Sequence, residues 1–325
     1  AMASPNSTFT EMVSTTLRHY RREFANNVEK NNALLLRLSK KGRTETIDGG
    51  YEIVEPLDYA ENSTYQRYSG YDMLNVAASD VLSAAKYDWK QAAVHVTASG
   101  LELRQNSGKN RLINLAKARL TNAMRTFRNN LSSDIYSDGT ASNQINGLQA
   151  LVSDAGTGTV GGIVSGTYTF WKSIVQSAAS PLQGGGAITP SATTIESLML
   201  GLWLQLTRGS DTPDLIISSN DYFVFYELSQ VAFKRYSNED ASATGGFTSL
   251  KYKSADVIFD GGSGIPTAHM YFLNTDYLKL VVHQDANMTQ LDDKNSVDQD
   301  AVVMPIIWQG NLVCSNRSLQ GVLKA

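Results

Sequence analysis

KNRLINLAKARLTNAMRTFRNNLSSDIY, residues 109–136, decides the architecture of this 325-residue chain. Ile113, Ala116, Leu120, Ala123, Met124, Phe127 and Leu131 recur three or four positions apart and make one apolar stripe, the pattern of a helix laid on a core. Arg111, Arg119 and Arg125 lie off that stripe. Gly139 stands where the helix should stop, since glycine enters the left-handed conformation that ends helices without a Cβ penalty. At about 1.5 Å per residue the helix runs roughly 40 Å, long enough to be the backbone of a domain.

Charge is segregated around this element. Residues 104–133 carry Arg104, Lys109, Arg111, Lys117, Arg119, Arg125 and Arg128 with no acid, a net +7. Residues 44–103 carry Glu45, Asp48, Glu52, Glu55, Asp58, Glu61, Asp72, Asp80, Asp88 and Glu102 against Arg67, Lys86 and Lys90, a net −7. Residues 17–43 are basic again at +6, with Arg18, Arg21, Arg22, Lys30, Arg37, Lys40, Lys41 and Arg43 against Glu23 and Glu29. Alternating blocks of this size suit surfaces that meet other copies of themselves head to tail. Only 18% of residues are charged, against about 25% in typical soluble chains. Two readings fit: much surface ends up against protein, or the chain is a loop-rich β domain. The overall net charge of −3 argues against a dedicated nucleic-acid binder but leaves room for a locally basic face.

The segment before the acidic block reads as helical over much of residues 8–38, with Phe9, Val13, Leu17, Tyr20, Phe24 and Val28 on one stripe and Lys40-Lys41-Gly42 as its terminus. In the acidic block, Gly49-Gly50 and Ser69-Gly70 punctuate short runs that hold Tyr51, Ile53, Val54, Tyr59, Tyr65, Tyr68 and Tyr71. Pro56 restricts its run to an edge strand. The block predicts a long β-hairpin-like arm, then a short helix, then a strand around residues 93–98. Such an arm has too little core to stand in water and should rest on a neighbouring molecule.

Beyond residue 139 the composition predicts loops at 157–162 and 183–186, a helix over Ile195–Leu206 and a buried strand over Asp214–Ser218. A helix over Tyr222–Val231 follows, then strands at 247–250, 257–259, 271–273 and 278–282, an acidic stretch at 285–300, and strands at 302–308, 312–314 and 321–323. The whole is α+β without regular βαβ alternation.

Residues that would carry chemistry are scattered. Gly156-Thr157-Gly158-Thr159-Val160-Gly161 matches G-x-G-x-x-G, but Gly162 and Gly166 would break the helix a dinucleotide site requires. His19, His95, His269 and His283 lack the spacing of a helical metal site. The lone Cys314, in an apolar run, reads as a small buried hydrophobe. No base, nucleophile and oxyanion hole assemble, so no enzyme activity, cofactor or metal is expected. The basic residues of 104–128 suit phosphate contact without base reading, or an interface. No run reads as a transmembrane helix or a signal peptide, which fits assembly in a cytoplasm.

The order of elements and five sequence blocks resemble the major capsid proteins of tailed bacteriophages, the Hong Kong 97-like shell fold. The blocks are Tyr87-Asp88-Trp89-Lys90-Gln91, Asn146-Gly147-Leu148, Phe247-Thr248-Ser249-Leu250-Lys251-Tyr252, Tyr271-Phe272-Leu273-Asn274-Thr275 and Trp308-Gln309-Gly310-Asn311-Leu312-Val313-Cys314-Ser315-Asn316-Arg317. The resemblance implies an N-terminal arm at 1–42, an extended β-hairpin E-loop with its following strand at 43–105, and a peripheral domain with a long spine helix at 106–154. It further implies an axial domain at 155–300 and a return to the peripheral domain at 301–325. The implied function is self-assembly into hexamers and pentamers of an icosahedral head around double-stranded DNA, in the virion, with scaffolding, portal and cement proteins as partners and no membrane. A protein-cargo compartment shell of the encapsulin kind is the alternative, an oligomeric soluble enzyme a more distant one. Expected assembly residues are Arg18, Arg21, Arg22, Lys40, Lys41, Tyr51, Glu52, Glu55, Tyr65 and Tyr68; Arg111, Arg119 and Arg125 are the DNA-facing candidates. Some relatives cross-link through an E-loop lysine. Residues 44–85 contain none, so no isopeptide bond is expected here.

Overall fold

The computed structural model describes residues 32–99, 109–182, 189–230, 249–260, 264–291, 294–295 and 301–325. Helix α1 is Ala33–Lys40, α2 Lys109–Asp134, α3 Leu148–Leu151, α4 Ile195–Leu206 and α5 Asn220–Ser229. The early strands are β1 Thr44–Ile47, β2 Ile53–Asp58, β3 Leu82–Tyr87, β4 Lys90–Ser99, β5 Thr159–Val160, β6 Ile163–Val164 and β7 Ile174–Gln176. The later ones are β8 Leu215–Ser218, β9 Ser249–Tyr252, β10 Ala255–Phe259, β11 His269–Leu273, β12 Leu278–Gln290, β13 Lys294–Asn295, β14 Ala301–Cys314 and β15 Gly321–Lys324.

Two sheets organise the molecule. In the first, β14 runs antiparallel to β12, β4 and β13, and β1 joins β12 in parallel. The long helix α2 covers it. Leu120, Met124, Phe127 and Leu131, the stripe read from sequence, are buried, and the Phe127 ring meets Trp308 of β14 edge-on at 6.3 Å. The second sheet has the order β7-β15-β11-β8-β10-β9. Both its faces are covered, so its strands are apolar without alternation. Ile216, Met270, Phe272 and Leu323 face a cluster with Leu198, Leu202 and Trp203 of α4 and Phe223 and Tyr226 of α5. Leu215, Ile217, Tyr271, Leu273 and Val322, one residue out of step, face the main core. That is the period of two expected of pleated strands.

Local chemistry explains the ends of α1. Asn32 Oδ1 accepts from the amides of Leu34 and Leu35 at 3.0 and 3.2 Å, satisfying two otherwise orphaned donors. Gly42, at φ +66°, turns the chain so that Arg43 N donates to Leu38 O at 2.7 Å.

Two expectations need correction. The short helix expected after the hairpin arm is absent among the described residues; Leu82–Tyr87 is the return strand β3, paired with β2 from Ile53↔Tyr87 to Asp58↔Leu82. Burial of Ala85 and Tyr87 on one face overrides the helix preference of its alanines. The strands expected at 302–308 and 312–314 are one, β14, which pairs with β4 along ten consecutive positions. Strand β12 lies in the first sheet, and β15 lies in the second between β7 and β11, where it removes two free edges.

Candidate functional site

Sequence blocks far apart in the chain converge on one joint, where the hairpin root, the end of α2 and strand β14 meet. Asn311 is fully buried and ties them: its Nδ2 donates to Asp88 O at 2.8 Å, and its Oδ1 accepts from Asn146 N at 2.9 Å. The Tyr87 hydroxyl donates to Cys314 O at 2.7 Å, and burial pushes its pKa well up. Burial also pushes the Cys314 thiol to about 12, leaving it without thiolate character. Arg317, equally buried, donates to Leu151 O at 2.6 Å and Trp171 O at 3.0 Å. Gly310 leaves no room for a side chain, since a Cβ there would lie 2.5 Å from Val281 O.

The β2–β3 hairpin leaves this joint and behaves differently along its length. At the root, Ile53, Leu57, Ala85 and Tyr87 are buried in the main core. Past Asp58 the chain makes no regular structure until Leu82. In this tip Tyr65, Tyr68, Tyr71, Met73, Leu74 and Val76 are between 54% and 106% exposed. Local bonds still organise it. Gln66 Nε2 donates to Met73 O at 2.9 Å, Asn75 N donates to Gln66 Oε1 at 3.1 Å, and Ser69 N donates to Asp72 Oδ2 at 2.8 Å. A row of apolar side chains held outward is the mark of a docking surface.

The expected assembly residues separate into four groups. Tyr51, Tyr65 and Tyr68 are exposed, as is Lys40 at the end of α1. Glu55 and Lys41 have ion-pair partners within the chain. Glu55 is buried and its carboxylate lies 3.3 Å from Lys279 Nζ, while Lys41 Nζ lies 3.0 Å from Asp214 and 3.2 Å from Asp276. Glu52 pairs with Lys86 of the same hairpin at 3.7 Å. Arg18, Arg21 and Arg22 lie outside the described residues. Of the DNA-facing candidates, Arg125 is exposed, the Arg111 side chain lies outside the described residues, and Arg119 donates to Thr97 O on β4 at 2.6 Å. Met73, Leu74 and Val76 were not singled out from sequence; an apolar run outside any strand pattern is the signal that would have found them.

Ion pairs fix the chain where the arm reaches the second sheet. Arg37 contacts Asp214 at 3.2 Å and Asp256 at 3.3 Å, and Arg43 contacts Asp276 at 3.0 Å. Burial works against ionising Asp276, but hydrogen bonds from Arg43 and Lys41 outweigh it and hold its carboxyl below the usual value. Lys279 is likewise partly desolvated, yet Glu55 and Glu45 raise its pKa. Asp154 is held low, first by the hydrogen bond from His269 at 3.1 Å and then by Lys324 at 3.3 Å.

Among the described residues no group of three His, Cys, Asp or Glu side chains could hold a metal ion, and no helix is long and apolar enough to cross a membrane. No protein-family model matches the chain, and no curated protein matches it. Solved structures do match. The chain is similar to one from the cyanophage A-1(L) capsid asymmetric unit, with a TM-score of 0.59 and 17% identity over 91% of this chain and 92% of that one. It is similar to a chain of Mycobacterium phage Bobi, with a TM-score of 0.54 and 9% identity over 87% and 89%. A chain from the capsid of an empty GTA particle matches with a TM-score of 0.52 and 10% identity over 87% and 94%. At such identities the likeness lies in the fold, and the fold is the Hong Kong 97-like shell fold.

Proposed function

We propose that this protein is a major capsid protein that self-assembles into the hexamers and pentamers of an icosahedral phage head enclosing double-stranded DNA. One observation carries the reading: a limb of the fold exposes Tyr65, Tyr68, Tyr71, Met73 and Val76 to solvent on a preformed frame, with no core of its own. A monomer gains nothing from such a limb; a subunit that lies on its neighbours buries it. Heterologous contacts of this kind close into rings, and obligate shells commonly bury more than about 2,000 Å² per interface.

In this reading the segment around Ala33–Lys40 belongs to an N-terminal arm, the β2–β3 hairpin is the E-loop, α2 is the spine helix of a peripheral domain, and the second sheet with α4 and α5 is the axial domain. Arg125 and neighbouring cations of α2 meet packaged DNA through phosphates without sequence preference. Noncovalent contacts, with a cement protein where one exists, hold the shell, because residues 44–85 contain no lysine to cross-link and Lys86, at the hairpin root, pairs with Glu52. A scaffolding protein and a portal complete the partner set, and assembly takes place in the host cytoplasm before the virion leaves.

Negative-stain microscopy of the purified protein, alone and co-expressed with its neighbouring phage genes, tests this. Closed particles of uniform size are expected, holding nuclease-protected DNA when packaging proteins are present. Particles filled with one protein cargo would move the function to a cargo compartment. A dispersed monomer under every condition would end the shell reading.

A further inference from the structure

The C-terminal half of α2 does not lie flush on the first sheet. Between it and β4 a groove of about 150 Å³ opens. Its floor is apolar: Phe127 and Leu131 of α2, Ile145 of the following loop and Trp308 of β14 are all buried. Exposed Thr126 and Asn130 stand at its rim. The walls are held from both sides. Asn143, at φ +59°, turns the loop after α2, in the left-handed region that asparagine tolerates better than most side chains. Asn146 N then donates to Asn311 Oδ1 at 2.9 Å, and Leu148 N donates to Ile135 O at 2.7 Å. On the other side β4 is fixed by its ladder to β14, in which Ala92 stands opposite Trp308. The groove therefore exists in the folded subunit before anything enters it.

Charge at one end selects the sign of an occupant. Asp134 closes α2 and lines the groove. Its Oδ1 accepts from Gln144 Nε2 at 2.8 Å, and among the described residues no cation pairs with the carboxylate. The last turn of α2 holds no basic residue, and a helix C-terminus carries partial negative charge of its own. Among the described residues no Lys, Arg or His lines the groove. An acid at a helix C-terminus is unfavourable without a counter-charge, and the subunit supplies none here. We infer that the groove is a binding site for a small organic cation, one flat apolar ring carrying an amidinium or ammonium head. Size sets the body, since an apolar cavity of about 150 Å³ holds one benzene-sized ring. A strand or helix of another protein is too large for it. Asp134 sets the head, because its second carboxylate oxygen can accept a charge-assisted bond while Oδ1 keeps Gln144. The site needs only the folded subunit and is independent of the shell reading.

Benzamidine is the probe, titrated into the purified protein and followed by ligand-observed NMR. Saturable binding with a Kd of about 1 mM or tighter is expected for a ligand of this size. Benzoate, with the same ring and the opposite charge, should bind at least about ten-fold more weakly. Asp134→Asn keeps an oxygen for Gln144 and should weaken benzamidine about ten-fold or more, with the melting temperature unmoved. Ala92→Leu pushes a branched side chain in beside Trp308 and should abolish binding in a chain that still unfolds cooperatively. No saturable binding, equal affinities for benzamidine and benzoate, or a Kd unmoved by Asp134→Asn would each overturn the assignment. So would loss of binding when subunits assemble into particles, which would show that a neighbouring chain fills the groove. Whether particles form at all is read separately, so failure of the site and failure of the shell are told apart.

Discussion

The joint around Asn311 and the tip around Tyr68 are both rich in aromatic and polar side chains, and they use them in opposite ways. At the joint Tyr87, Asn311 and Arg317 are buried, and each has hydrogen-bond partners inside the chain. At the tip the tyrosines point to water, and the internal bonds are made by main-chain groups and by amide, hydroxyl and carboxylate side chains. In the proposed reading the first region makes the subunit and the second makes something larger. The contrast explains why one hairpin is apolar at both ends. Its root is buried in the main core and its tip, to which the proposal gives association, is exposed; the change falls where β2 ends at Asp58.

The sharpest way to break this division is at the joint. Arg317→Ala removes the donors to Leu151 O and Trp171 O and leaves a void among fully buried neighbours. A loss of about 3 kcal/mol or more in unfolding free energy is expected from equilibrium urea denaturation. A loss below about 0.5 kcal/mol would mean the joint does not hold the subunit together.

A smaller effect separates two acids that look alike in sequence. Glu55→Gln should cost the isolated subunit about 1–3 kcal/mol, because Lys279 then loses its buried partner. Glu52→Gln, three positions earlier on the same hairpin, loosens only the 3.7 Å pair with Lys86 and should stay within about 0.5 kcal/mol. Equal effects would erase the distinction drawn between root and surface.

The weakest expected effect is a pH dependence at the arm. The Asp276 carboxyl is depressed in the folded chain, so its contribution is present above the ordinary carboxylate value and is lost as pH falls below that value and through the folded one. Hydrogen exchange at residues 38–47 should therefore accelerate in acid beyond the intrinsic rate. The tip, which holds no comparable ion pair among its described bonds, should follow intrinsic chemistry. Lys279 runs the other way: its raised pKa keeps the Glu55 contact up to alkaline pH, and the contribution is lost only above the ordinary lysine value. Identical acid profiles for arm and tip would contradict the anchoring described.

Much of this was legible in the sequence, and the rest failed for identifiable reasons. Ile195–Leu206 and the stripe through Leu120, Met124 and Phe127 follow a helical period against a sheet, so pattern alone located them. Leu82–Tyr87 is short and rich in alanine, and only its pairing with Ile53–Asp58 makes it a strand. The exposed tyrosines of the tip could be read because no local pattern offered them a core. The intrachain partners of Glu55 and Lys41 could not, since Lys279 and Asp214 lie 224 and 173 positions away. Charge blocks point to a surface in general; they do not say which members are already neutralised within the chain.

The division of labour meets its most direct test in one triple variant, Tyr65→Ser with Tyr68→Ser and Tyr71→Ser, assayed for unfolding free energy and for particle formation by sedimentation velocity on the same preparation. A subunit as stable as the parent, within about 0.5 kcal/mol, that sediments as single chains where the parent forms closed shells is the predicted result. A variant that assembles as well as the parent, or one that unfolds before it can be assayed, would contradict the claim that the tip serves association alone.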